Sequence, residues 1–114
     1  MIAVIFKATL NQHLLAKSPL DSQHQVEFNR YLKMADTLRN KALSDYGCIS
    51  FTSTNQGDQE IAVSYWPNIE AVSHWKHDEL HLQAQQMGRE KWYKHYSVDI
   101  AEVLKSYEHT NPSN

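Results

Sequence analysis

Apolar and polar positions alternate over the first ten residues. Ile2, Val4, Phe6, Ala8 and Leu10 fall on one side of an extended segment, and Ala3, Ile5, Lys7 and Thr9 on the other. This period of two predicts a first strand with one strongly apolar face. Asn11 to Ser22 is polar, holds Ser18 and Pro19, and offers Asp21 or Ser22 as a cap for a helix. From Gln23 to Ser44 there is no glycine or proline, and Phe28, Tyr31, Leu32, Ala35, Leu38 and Ala42 recur every three or four positions. That spacing predicts a long helix burying one stripe, with Gly47 just past its end. Cys48–Thr54 and Gln59–Trp66 are β-rich runs around Asn55, Gln56, Gly57 and Asp58, which predicts an antiparallel hairpin.

Pro67 closes the third strand and Asn68 can cap a short helix carrying Ile69, Val72 and Trp75. Asp78 continues or restarts it as far as Met87, Gly88 is its stop, and Arg89–Tyr93 forms a further turn. Tyr96, Val98 and Ile100 alternate, and Val103 and Tyr107 take the opposite parity, which predicts a last strand with a bulge near Ala101 and Glu102. The order is strand, helix, strand, strand, helices, strand. It predicts an α+β, ferredoxin-like split β-α-β sandwich with a four-stranded antiparallel sheet. Helices cover one face of such a sheet; a second copy can cover the other, so a homodimer is expected.

Composition narrows the function classes. With 114 residues, one domain is expected, over residues 1–109, followed by a polar tail at 110–114. Eleven Lys and Arg against 13 Asp and Glu give a net charge of -2, which supplies no basic field for nucleic acid. No apolar run approaches a membrane span, and the start of the chain reads as a strand, not a signal peptide, so no membrane partner and a cytoplasmic location are expected. A single cysteine, Cys48, excludes an intrachain disulfide and reads as a buried inert thiol. The three glycines are isolated, so no phosphate-cradling loop is present.

The chemistry-bearing residues crowd into one stretch: Tyr65, Trp66, His74, Trp75, His77, His81, Trp92, Tyr93, His95 and Tyr96. If residues 74–85 form one helix, His74, His77, His81 and Gln85 lie within about 80° of one another. Such a stripe could sit at the mouth of an aromatic pocket and orient or deprotonate a phenol, since imidazole titrates near neutrality. The plainer reading is a solvated helix face, and for each aromatic residue taken alone, core packing. His77 and His81 have the i, i+4 spacing of a zinc pair, but there is no evident third ligand and Asp78 stands where a zincin carries Glu, so no metal is expected.

Ser64, Tyr65, Trp66, Ile69, His74, Trp75, His77, His81, Ala84, Gly88, Arg89, Trp92, Tyr93 and Tyr96 together resemble the antibiotic biosynthesis monooxygenase family. The resemblance extends in element order along nearly the whole chain and is most specific in the spacing of Trp75, His81, Gly88 and Trp92. It implies a dimeric α+β barrel with a pocket in each subunit, and oxidation of a small phenolic or quinol-like compound by oxygen with no cofactor. On that reading His77 and His81 are the catalytic candidates, and Tyr65, Trp66, His74, Trp75 and Trp92 bind substrate. A related haem-degrading branch uses an asparagine on the first strand and an axial histidine. Here those places hold Phe6, Lys7 and Ala8, and Gln85, which speaks against haem degradation. A non-catalytic dimer that binds or senses a small apolar molecule in the same pocket is the competing expectation.

Overall fold

The computed structural model describes residues 1–12 and 22–112. Its elements are β1 (Ile2–Leu10), α1 (Ser22–Asp45), β2 (Ser50–Gln56), β3 (Gln59–Trp66), α2 (Ile69–Lys76), α3 (Glu79–Met87), a π-helical turn (Gly88–Trp92) and β4 (Tyr93–Glu102). The sheet order is β2-β3-β1-β4, antiparallel throughout, so the split β-α-β sandwich is present as the element order predicts. The expected loop through Ser18 and Pro19, with its cap at Asp21, lies outside the described residues.

Each boundary has a local cause. Helix α1 runs for 24 residues on a stretch free of breakers, then reverses at Gly47, whose φ of 75° suits a residue without Cβ. The Cys48 amide closes that end on the Ala42 carbonyl at 3.0 Å. Gly57, at φ 61°, makes the β2–β3 turn. The side chain of Asn68 accepts the Ala71 amide and caps α2.

Several expectations need correction. Residues 74–85 are not one helix: α2 ends at Lys76, and Asp78, at ψ 139°, caps a new helix by accepting the Leu80 amide at 2.8 Å. An aspartate placed this way competes with the helical backbone and restarts it in a new direction. Gly88 is no stop, since at φ -60° and ψ -48° it passes the helix on into the π-turn. The irregularity in β4 is not near Ala101 and Glu102, which remain paired with Ala3 and Ile2. It lies where the register shifts between Thr9 and Leu10, opposite His95 and Tyr93. β4 ends at Glu102 and does not run on to Tyr107, and β2 begins at Ser50, not Cys48.

All helices pack on one face of the sheet, against the even positions of β1 and their cross-strand partners. Two buried clusters result. Val4, Ala42, Cys48, Trp66, Val72 and Trp75 form one; Leu10, Tyr31 and Trp92 form the other.

Candidate functional site

Between the two clusters lies a cavity of about 530 Å³, within the range of small-molecule sites. The cross-strand register explains its floor. Phe51, Ser64 and Val4 form one row across β2, β3 and β1; Ser53, Ala62 and Phe6 form the next; Asn55, Glu60 and Ala8 the third. β3 contributes small side chains, Ala62 and Ser64, beneath a helix layer held up by large ones, so the middle of the sandwich is left unfilled. Tyr31, Met34, Ala35 and Leu38 of α1 form one side of the roof, and Trp75, His81, Ala84 and Gln85 the other.

At one pole His81 stands against Trp75, ring centroids 4.3 Å apart and planes at 73°. Trp75 is itself fixed: its Nε1 donates to the Leu38 carbonyl at 3.2 Å, and its ring contacts Trp66 at 5.2 Å and Phe51 at 5.9 Å. Burial pushes the His81 pKa down to about 4, and the charge of Lys76 adds to the effect, so the ring is neutral near pH 7. Its Nδ1 is buried and has no hydrogen-bond partner among the described residues.

At the other pole Glu60 is a buried carboxylate, 7% exposed, on the core face of β3. The Tyr31 and Tyr93 hydroxyls both donate to its Oε2, the latter at 3.3 Å. Burial raises the Glu60 pKa while the two phenols pull it back; burial and the nearby carboxylate raise both tyrosines, which stay protonated. The phenol rings belong to an aromatic wall: Tyr93 meets Phe6 at 5.4 Å and Tyr96 at 5.9 Å, and Tyr31 meets Trp92 edge-on at 5.4 Å. Glu60 and Ser64 are four positions apart on β3, about 13 Å along the strand.

Of the catalytic and binding candidates from the sequence, the structure brings Trp75, His81 and Trp92 to the cavity, along with Tyr93 and Tyr96 of the same aromatic-rich stretch. Trp92 is anchored from outside by its Nε1, which donates to Glu27 at 3.0 Å. Trp66 is 0% exposed and stands behind the wall, donating to the Ser64 hydroxyl at 2.9 Å. Tyr65 has the opposite strand parity and lies on the face of the sheet away from the helices. His74 and His77 are exposed at the end of α2, where His77 Nδ1 lies 2.7 Å from the Ser73 carbonyl oxygen. The break at Asp78 separates these two from His81 despite their spacing. Among the described residues no three His, Cys, Asp or Glu side chains are placed to hold a metal ion. Glu60 escaped the sequence reading, although a signal existed: it is the one charged side chain in the alternating set Glu60, Ala62, Ser64 and Trp66.

The sequence matches the family of af470-like monooxygenases over residues 5–103. This chain belongs to that family. The uncharacterized protein YqjZ of Bacillus subtilis (strain 168) is 31% identical over 98 residues, covering 78% of this chain and 86% of its own length. Among solved structures, Rv0793 from Mycobacterium tuberculosis superposes with a TM-score of 0.71 at 12% identity, covering 94% of this chain and 98% of its own. An antibiotic biosynthesis monooxygenase gives 0.69 at 11% identity over 92% and 100% of the two chains. PA3566 from Pseudomonas aeruginosa gives 0.64 at 15% identity over 91% and 94%. At such identities these likenesses establish a shared fold. No helix among the described residues is long and apolar enough to cross a membrane.

Proposed function

We propose that this chain oxidises a small phenolic or quinol-like compound with molecular oxygen in the cavity between sheet and helices, without metal or flavin. The observation that carries the reading is the unpartnered Nδ1 of His81, a cavity-lining imidazole set against the Trp75 ring. Leaving a buried polar nitrogen unsatisfied costs about 1–3 kcal/mol; Nδ1 has no free surface of its own, so a small turn of the ring toward the cavity would let a ligand hydroxyl recover that cost. Trp75 fixes the imidazole, and Trp75 and Trp92 sandwich an aromatic substrate from the two clusters. The neutral imidazole orients the ring hydroxyl and draws on its proton, raising electron density on the ring that oxygen attacks. His81 takes the part of positioning base; His77, exposed and bonded to its own helix, takes no part.

A homodimer in the cytoplasm completes the reading. The sheet face away from the helices carries Ile5, Ile61, Val63 and Tyr65, and beyond β4 Leu104 and Tyr107 are 94% and 86% exposed.

Oxygen uptake on hydroquinone and anthrone-type substrates tests the activity. Metal-free protein should consume oxygen, and His81→Ala should lose at least about a hundredfold in rate, the low side of a general acid–base contribution. Equal rates for the two proteins would remove His81 from the reaction. Ligand-induced stabilisation with no turnover on any substrate would favour a binding protein.

A further inference from the structure

We propose that Glu60 is a second ligand-binding group, so that the cavity selects neutral aromatic compounds carrying hydrogen-bonding groups at both ends. The proposal rests on the cavity accepting an aromatic compound at His81 and adds what the opposite pole requires of it.

The acceptor chemistry of a carboxylate is the starting point. An ionised carboxylate has two oxygens and only accepts. Both phenols, Tyr31 from α1 and Tyr93 from β4, address Oε2. No described donor is bonded to Oε1, although Glu60 lines the cavity. Across the strand pair Asn55 faces Glu60, β1 contributes Ala8 at that level, and among the described residues no Lys or Arg is ion-paired to the group. A structural buried carboxylate would be paired with Lys or Arg; this one is held by two phenols and keeps acceptor capacity toward the hollow.

The walls and mouth then limit the donor. Phe6, Trp92, Tyr93 and Tyr96 surround this pole with rings, which suits a flat aromatic body. An ammonium group would also suit a carboxylate among rings, but Arg39, Lys76 and Arg89 line the same cavity against one further carboxylate, Asp36. Their field opposes a cation and leaves a neutral hydroxyl as the matching donor. With His81 at one pole and Glu60 at the other, the preferred ligand is a diol of a fused-ring system.

The test is anaerobic binding, read through quenching of the tryptophan fluorescence, with 2,6-dihydroxynaphthalene, its monomethyl ether and 2-naphthylmethylamine as probes. Wild-type protein should bind the diol at least about tenfold more tightly than the monoether, a cautious figure for a site that leaves its acceptor unpaired with the analogue. Glu60→Gln should reduce that advantage to under about threefold. Tyr93→Phe, which frees Oε2 of one donor and keeps the carboxylate, should enlarge the advantage; this arm stands even if Glu60→Gln fails to fold. Equal binding of diol and monoether, binding of neither, tighter binding of the amine, or an advantage unaltered in Glu60→Gln or in Tyr93→Phe would overturn the assignment. Because oxygen is absent, a protein that prefers the diol yet consumes no oxygen keeps this assignment and loses only the oxygenase reading.

Discussion

The imidazole of His81 stands edge-on to the indole of Trp75, 4.3 Å between centroids, and Trp75 is tied by its Nε1 to the Leu38 carbonyl of α1. The contact joins the start of α3 to the long helix across the cavity. It keeps a polar ring inside an apolar shell with one nitrogen unsatisfied, an arrangement that serves a ligand and costs stability.

That cost has a pH signature. The His81 pKa is about 4 in the folded chain against 6.5 unfolded, so the unfolded chain takes up the proton first as pH falls. Its contribution is complete above pH 6.5 and is lost progressively down to pH 4, about 3 kcal/mol in all. Glu60, raised by burial, acts with the opposite sign: its contribution is present below its ordinary pKa of 4.5 and fades as pH rises. Urea unfolding of wild type and His81→Phe at pH 7 and pH 4.5 separates the two. The variant should lose clearly less stability between those pH values than wild type.

At Gly88 two effects compete. The backbone is helical, and alanine in place of glycine normally stabilises a helix by about 1 kcal/mol. A Cβ there would sit 2.8 Å from Cδ2 and Cε2 of Tyr93, a ring hemmed in by Phe6, Tyr31, Trp92 and Tyr96. Overpacking of that kind costs about 1–3 kcal/mol, so Gly88→Ala should be destabilising, with a lower urea midpoint. It should also displace the Tyr93 ring, which lines the cavity, and a raised diol dissociation constant would register that.

Asp78 caps α3 and also receives Lys41 at 3.0 and 3.1 Å and the Tyr46 hydroxyl at 2.6 Å. The Tyr46 and Lys41 hydrogen bonds hold its pKa down to about 2, so its contribution is present above pH 3.8 and lost as pH falls toward 2. Asp78→Asn keeps the cap and loses the charge; Asp78→Ala loses both and should be less stable than Asp78→Asn by about 1 kcal/mol in thermal or urea unfolding.

The open face of the sheet gives the oligomer prediction. Val63 lies opposite Ile5 in the middle of that face and is half-buried in the isolated chain. Sedimentation should give twice the monomer mass for wild type and a shift to monomer for Val63→Glu, since an unpaired charge buried at an interface is strongly penalised. A wild-type monomer at micromolar concentration would refute the dimer.

The strand alternation, the breaker-free helix, the Gly57 turn and the Asn68 cap were legible in the sequence because each depends on residues within a few positions of one another. The element order they produce determined the split β-α-β sheet, and the density of Trp, Tyr and His in the C-terminal half located the site to within one region. Which side chains enter the cavity was decided by tertiary structure. One hydrogen bond, from the Leu80 amide to Asp78, redirects the chain and separates His74 and His77 from His81. Strand parity sends Tyr65 to the far face and Trp66 behind the wall, and the β2–β3–β1 register sets Glu60 beneath Tyr31 and Tyr93, residues 29 and 33 positions away along the chain. Local propensity acts over a turn of helix or a strand pair. A site assembled from four strands and three helices depends on where those elements meet, which only the packed chain fixes.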